Sequence, residues 1–104
     1  MKEIEMKPFT MINRLVVKPG KMDEFIEMQR RFAATGPSGL VGGRMYRSPD
    51  GQSAILVSMF QSKAAQEEIF QRPEFKAHIA NLQPLVESSN PMVYEEAYTT
   101  GAFA

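Results

Sequence analysis

The sequence contains no cysteine, no tryptophan and only one histidine, His78. Without cysteine the chain has no disulfide, no thiolate metal site and no cysteine nucleophile. A single histidine also excludes a metal site built on two histidines. Twelve basic residues balance twelve acidic ones, so net charge favours neither nucleic acid nor an anionic membrane as a partner. No apolar run approaches the roughly 20 residues that a membrane-spanning helix needs.

The length of the chain, 104 residues, is typical of one domain. No repeat, low-complexity run or linker divides it. Residues 1–7 mix charges of both signs and contain no apolar secretory core. We therefore expect a single cytoplasmic domain over residues 1–104, with a folded core at about residues 9–98.

Four segments have the composition of β-strands, because β-branched, aromatic and alternating apolar residues are concentrated in them. Gly42 and Gly43 weaken the second segment and indicate a bulge or a close approach to the backbone. A proline and a glycine in residues 49–51 predict a turn between the second and third segments. The predicted strands cover residues 9–17, 39–48, 53–60 and 92–98.

Two helices are predicted between these strands. Apolar residues recur at three- and four-residue steps over residues 21–34, which is typical of an amphipathic helix. In the second helix Ser62 can cap the first turn, and Pro73 interrupts the helix and starts a second piece. Pro84 kinks or ends that second piece.

The predicted order βαββαβ is that of an α+β, ferredoxin-like antiparallel sheet with both helices on one face. Yet the strands carry apolar residues at both parities, such as Met11 and Leu15 against Ile12 and Val16. A strand with one wet face alternates cleanly between apolar and polar residues. We therefore expect a homodimer, in which a second copy covers the helix-free face of the sheet.

Two polar residues stand at apolar positions. Asn13 lies in mid-strand at the parity of Met11 and Leu15, and its amide is either satisfied by neighbouring groups or held as a donor for a ligand oxygen. His78 shares a helical stripe with Phe75 and Ile79. It is either hydrogen-bonded scaffolding, a general acid–base group or an axial metal ligand.

A set of aromatic and methionine side chains forms either plain core or the wall of one cavity. Arg44 and Tyr46 share a strand face and are candidates for polar groups at its edge. The sequence contains no phosphate loop, nucleophile elbow or metal-ligand spacing. The members of the set are Met45, Tyr46, Met59, Phe60, Phe70, Phe75 and Tyr94.

Four motifs over about residues 9–98 resemble one known family. They are Val17-Lys18-Pro19-Gly20-Lys21, Gly39-Leu40-Val41-Gly42-Gly43, Phe60-Gln61-Ser62-Lys63-Ala64-Ala65 and Pro73-Glu74-Phe75-Lys76-Ala77-His78. On these motifs the chain resembles the antibiotic biosynthesis monooxygenase domains. The resemblance implies a dimeric α/β barrel with one pocket per subunit between sheet and helices. It also implies oxidation of phenols or quinols by molecular oxygen, without a metal or another cofactor.

With this resemblance, the leading hypothesis is a cofactor-independent monooxygenase for a small aromatic phenol, quinol or quinone. Asn13 would orient the substrate oxygen and His78 would assist proton transfer. The residues expected to bind the substrate are Arg44, Tyr46, Met59, Phe60, Phe75 and Tyr94.

Two alternatives remain from the sequence. Haem-degrading relatives use an asparagine on the first strand, a tryptophan on the second helix and a histidine as the iron ligand. Asn13 matches the first, but the tryptophan position falls on Ile69 and the histidine position on Ile79, with His78 one residue earlier, about 100° around the helix. The other alternative is a dimeric ligand-binding or structural module without enzymatic activity.

Overall fold

The computed structural model of this protein describes residues 8–103. Residues 1–7 and residue 104 lie outside the described residues. The expectation that residues 1–7 contain no secretory core therefore concerns a segment that the structure does not describe. Within residues 8–103, no helix is both long enough and apolar enough to cross a membrane.

The described residues form a four-stranded sheet and three α-helices, which confirms the predicted α+β, ferredoxin-like fold. Two short 3₁₀ turns, Gln83–Leu85 and Gly101–Phe103, complete the structure. The elements are β1 (Phe9–Val17), α1 (Met22–Ala34), β2 (Leu40–Arg47), β3 (Ser53–Phe60), α2 (Lys63–Gln71), α3 (Pro73–Leu82) and β4 (Val86–Tyr94).

The strands are arranged in the order β2-β3-β1-β4, and all neighbouring strands are antiparallel. The register of β2 against β3 shifts between Leu40 and Gly42, which confirms the bulge that the paired glycines predict. Immediately before β2, Gly39 has φ +96°, and a Cβ there would lie 2.9 Å from Cβ of Ala65 in α2. Glycine therefore allows the strand to pass close to the helix.

The helix signals in the sequence are also confirmed. The hydroxyl of Ser62 accepts a hydrogen bond from the amide of Ala65 at 3.0 Å and caps α2. Arg72 takes an extended conformation, and Pro73 then occupies the first turn of α3, where the missing N–H of proline has no intrahelical partner to lose. The second predicted helix is therefore two helices.

The fourth strand was predicted wrongly at both ends. It covers Val86–Tyr94 rather than residues 92–98. Serine and asparagine are poor strand formers and proline lacks a ladder donor, so residues 88–91 do not resemble a strand. However, β4 is an edge strand that pairs only with β1, and an edge strand tolerates proline because just one of its sides is paired.

The hydrophobic core fills one end of the layer between the sheet and the helices. Its centre is Phe25, whose side chain is fully buried. The sheet end near the β2–β3 hairpin is thereby closed, whereas the opposite end is not filled by the core. The core residues are Leu15, Val17, Met22, Phe25, Ala54, Leu82 and Leu85.

The helix-free face of the sheet is apolar but not buried within one chain. Ile12, Val57 and Met59 are half-buried on it, and Tyr46 and Met92 are about half exposed. The sequence therefore predicts correctly that both faces are apolar. That a second copy covers this face stays a prediction.

Candidate functional site

A cavity of about 630 Å³ occupies the open end of the layer between the sheet and the helices. Small-molecule sites have volumes of roughly 300–1,000 Å³, and a cavity of about 150 Å³ already holds benzene. The space therefore suits a ligand of several rings. A smaller cavity of about 190 Å³ adjoins it and shares Phe32, Pro37, Ile69 and Phe75 with it.

Small side chains of the sheet create this space. Gly43 of β2 and Ser58 of β3 are paired across the two strands, and both line the cavity. The next pair on this face toward the closed end, Met45 and Leu56, also borders the cavity but packs against the core as well. The change from large to small side chains along one strand pair is what separates core from cavity.

Aromatic rings form one wall of the cavity. Phe70 stacks on Phe75 with ring centres 4.3 Å apart, and Phe60 meets Phe70 edge to face at 6.0 Å. Phe32 contacts Phe75 edge to face at 5.8 Å and stacks on the ring of His78 at 4.4 Å. These five side chains all line the cavity, so they offer a ligand a continuous surface of rings that favours flat aromatic molecules.

Asn13 presents a fixed polar group in the floor of the cavity. Its Oδ1 accepts hydrogen bonds from the amide of Asn90 at 2.9 Å and from the hydroxyl of Ser89 at 3.2 Å, both on β4. Because a backbone N–H can only donate, these bonds determine which end of the side-chain amide is the oxygen. The Nδ2 group has no partner among the described residues, and no fully buried side-chain N or O in residues 8–103 lacks one. The Nδ2 group is therefore accessible, and it is available to a ligand as a donor.

His78 lies on the opposite wall, on α3. Its side chain is buried, with 8% of the residue exposed, and its Nε2 lies 2.7 Å from Oε1 of Gln29 on α1. Burial lowers the pKa of His78 below its usual value of 6.5, because a low-dielectric site disfavours the charged imidazolium. The ring is therefore neutral at neutral pH, a state in which it can accept a proton.

The structure brings together part of the predicted site. Asn13, Phe60, Phe75 and His78 line the cavity. Tyr46, Met59 and Tyr94 lie on the helix-free face instead, because successive strand residues point to opposite faces. Arg44 borders the cavity, but its guanidinium donates to the Tyr46 hydroxyl at 3.0 Å and lies 5.3 Å from the ring centre of Phe103. The roles of all these residues in catalysis or substrate binding stay predictions.

Gln29 is a polar cavity residue that the sequence predictions missed. It lies on α1, three residues after Ile26 and three before Phe32, and both of these apolar neighbours also line the cavity. A polar residue within the apolar stripe of a helix is the signal that identifies it. The same kind of signal singled out Asn13 in β1.

The residues present do not fit a haem held by His78. The Nε2 atom, whose lone pair would have to face the iron, is engaged by Gln29. The ring also lies flat against Phe32, with only 11° between the two planes. In residues 8–103 no group of three or more histidine, aspartate and glutamate residues is placed to hold a metal ion.

Two comparisons with known proteins found matches, one among solved structures and one among protein-family models. Among solved structures, the cofactor-independent oxygenase SnoaB from Streptomyces nogalater has a TM-score of 0.79 and 24% identity, over 88% of this chain and 95% of its own. A Pseudomonas aeruginosa protein has a TM-score of 0.75 and 14% identity, over 91% of this chain and all of its own. These likenesses show the fold alone.

A search of curated protein sequences found no match. The sequence model of the antibiotic biosynthesis monooxygenases, in contrast, matches residues 8–81, which is more than half of the chain. This protein therefore belongs to the antibiotic biosynthesis monooxygenase family.

Proposed function

We propose that this protein is a cofactor-independent monooxygenase that oxidises a small aromatic phenol or quinol in the cavity between sheet and helices. The observation that carries the proposal is the combination of a wall of stacked rings with the accessible amide donor of Asn13 in a mainly apolar cavity. Family membership and the likeness to SnoaB, described as a cofactor-independent oxygenase, support it.

The reaction requires the protein to bind, orient and deprotonate the substrate, but not to supply electrons. An electron-rich phenolate can itself reduce molecular oxygen. In the balanced reaction a phenol and O₂ give a quinone and water, so that one oxygen atom becomes the second quinone oxygen and the other leaves as water. The substrate provides all the electrons, and the cavity holds it in a fixed orientation away from bulk water.

Asn13 and His78 have complementary roles in this proposal. The Nδ2 group of Asn13 donates to the phenolate oxygen and stabilises its charge, since hydrogen bonds to charged groups are the strong ones. The neutral ring of His78 accepts the phenol proton, because burial keeps its pKa low enough to leave it unprotonated. The ring wall fixes the plane of the substrate.

Oxygen consumption with a panel of naphthols and hydroquinones tests the proposal. We expect turnover in the wild type and a loss of about 10- to 100-fold in kcat/KM for Asn13→Ala, since a hydrogen bond to a charged group contributes roughly 1.5–3 kcal/mol. Asn81→Ala, which removes an exposed asparagine of α3, is the matched control and should leave turnover unchanged. Binding of the panel without any oxygen uptake would instead favour the ligand-binding module.

The cavity also bears on the non-enzymatic alternative. A purely structural module would be supported if the protein's own side chains filled the pocket. The open volume of about 630 Å³ does not support a purely structural role.

We further propose that two copies pair through their helix-free sheet faces. The apolar residues there are only half-buried in one chain, and apolar patches of this kind mark interaction sites. Val57, on a central strand, faces that side. Val57→Asp should therefore convert a dimer into a folded monomer in sedimentation velocity, because it places an unpaired charge in the interface.

The matched control is Ala64→Asp, which adds the same charge at an exposed position in the first turn of α2. An acidic residue is favourable in that turn, so the variant should keep the dimer. A wild-type chain that sediments as a monomer at micromolar concentration would exclude the pairing.

A further inference from the structure

Gln29 and His78 are 49 residues apart in the sequence and come from different helices, yet their side chains meet at 2.7 Å. Gln29 is half-buried and His78 is buried, and both line the cavity. This short hydrogen bond joins two residues that are distant in the sequence, and it restricts the orientation of the His78 ring in addition to the packing around it.

The orientation of the Gln29 amide selects the ring tautomer that can bond to it, because the oxygen accepts a hydrogen bond and the nitrogen donates one. The atom of Gln29 that faces the ring is Oε1, and an amide oxygen can only accept. With the amide in this orientation, Nε2 of His78 carries a proton and donates it to Oε1. A neutral imidazole has a single N–H, so Nδ1 is left with its lone pair as the acceptor.

The surroundings of the ring leave Nδ1 accessible. Phe32, one turn after Gln29 on α1, lies flat against the ring, so α1 provides both the hydrogen bond and the packing surface. Nδ1 has no partner among the described residues, and none of their fully buried side-chain N or O atoms lacks one. Nδ1 is therefore not fully buried, and the residue that carries it lines the cavity.

Burial is the cause of the lowered pKa of His78, and no charged side chain among the described residues contributes to it. Arg30 of α1 also lines the cavity, but it forms an ion pair with Glu27 at 2.8 Å. Glu74, one turn before His78 on α3, is exposed. The hydrogen bond to the uncharged Gln29 is thus the interaction that distinguishes the two ring nitrogens.

We propose that Gln29 is a positioning residue that holds His78 in the Nε2–H tautomer and so makes Nδ1 the atom that accepts the substrate proton. The proposal rests on the proposed function for the proton transfer, but the tautomer itself is a property of the free protein. It assigns a role to a residue of α1 that does not need to touch the substrate.

Long-range ¹H–¹⁵N NMR of the free protein tests the tautomer directly, since His78 is the only histidine and its ring signals need no assignment. We expect the wild type to show a protonated Nε2 and an unprotonated Nδ1 at pH 8. Gln29→Leu removes the acceptor and should give a mixture of tautomers. Gln71→Leu, at an exposed glutamine that ends α2, should leave the wild-type pattern.

Gln29→Glu provides a second variant that keeps an acceptor at the same position. The carboxylate should preserve the Nε2–H tautomer and raise the pKa of His78 by about one to two units, since a nearby opposite charge favours the imidazolium. The acid limb of the pH–rate profile should then move to higher pH by the same amount. Circular dichroism confirms that each variant is folded, and Gln29→Glu remains informative if Gln29→Leu is not.

The outcomes separate this proposal from the proposed function. A wild-type ring protonated on Nδ1, or a tautomer that does not change in Gln29→Leu, would overturn the positioning role whatever the activity. If the tautomer depends on Gln29 but no phenol or quinol is turned over, the positioning role stands and the monooxygenase proposal fails. If both hold, Gln29→Leu should lower kcat by about 10-fold or more with little change in KM.

Discussion

The two ends of the layer between sheet and helices differ in how their side chains pack: one end is filled by the core, and the other borders a cavity. At the closed end Phe25 is fully buried and packs within a continuous core. At the open end the sheet presents Asn13, Gly43 and Ser58 to a cavity. Leu15 belongs to the core and also lines the cavity, so it marks the boundary. A small domain can leave one end open because the other end holds the fold together.

The largest loss of stability is expected from Phe25→Ala at the closed end. Truncating a fully buried phenylalanine removes its transfer free energy and leaves a cavity, at a cost of about 3–5 kcal/mol. Phe70→Ala, at the open end, should cost less, because Phe70 is only half-buried and borders existing space. Urea unfolding at constant protein concentration measures both, and equal losses would contradict the division of the layer.

An intermediate effect is expected from filling the open end. Ser58→Leu places an apolar side chain in the cavity beside Asn13 and Met11, and cavity-filling substitutions commonly add about 0.5–2 kcal/mol of stability. The same variant should lose binding of aromatic ligands, measured by calorimetry. Ser58→Ala is the control that should retain binding, and a Ser58→Leu protein that still binds would place the ligand elsewhere.

The smallest change in the free energy of unfolding is expected when the pH is lowered. Burial lowers the pKa of His78 in the folded state below 6.5, so the unfolded chain binds the proton more readily. The contribution of His78 to stability is therefore complete above pH 6.5 and is lost as pH falls through the lowered pKa, at about 1.4 kcal/mol per unit of difference. Urea unfolding between pH 7.5 and 5 measures this loss.

Two carboxylates with perturbed pKa values do not titrate in that interval. A hydrogen bond from Arg30 lowers the pKa of Glu27, and one from the Ser48 hydroxyl lowers that of Asp50. His78→Gln should therefore abolish most of the pH dependence. A variant that keeps the full dependence would show that another group causes it.

The sequence predicted the fold well where local signals and tertiary structure agree. The cap at Ser62, the break at Pro73 and the bulge at Gly42 are each backbone requirements of one or two residues, and they are readable without knowing the neighbours. The fourth strand was missed because its edge pairing with β1 overrides the poor strand propensity of residues 88–91.

The candidate site was predicted only in part, because local patterns identify single residues but not the contacts between distant ones. The parity of Asn13 and the helical stripe of His78 predict that both side chains face the layer between the sheet and the helices, and both residues line the cavity there. Tyr46 and Met59 are equally aromatic or apolar, and composition alone does not tell which face of the sheet a cavity occupies. Gln29 was missed because its partner is 49 residues away.

The sequence alone determined the βαββαβ order, the apolar character of both sheet faces and the absence of cysteine chemistry, because periodicity and composition are local properties of the chain. Only the tertiary structure decided that small residues of β2 and β3 meet to open a cavity, that β4 orients the amide of Asn13, and that Gln29 faces His78. These features depend on contacts between residues distant in the chain, which no local pattern encodes.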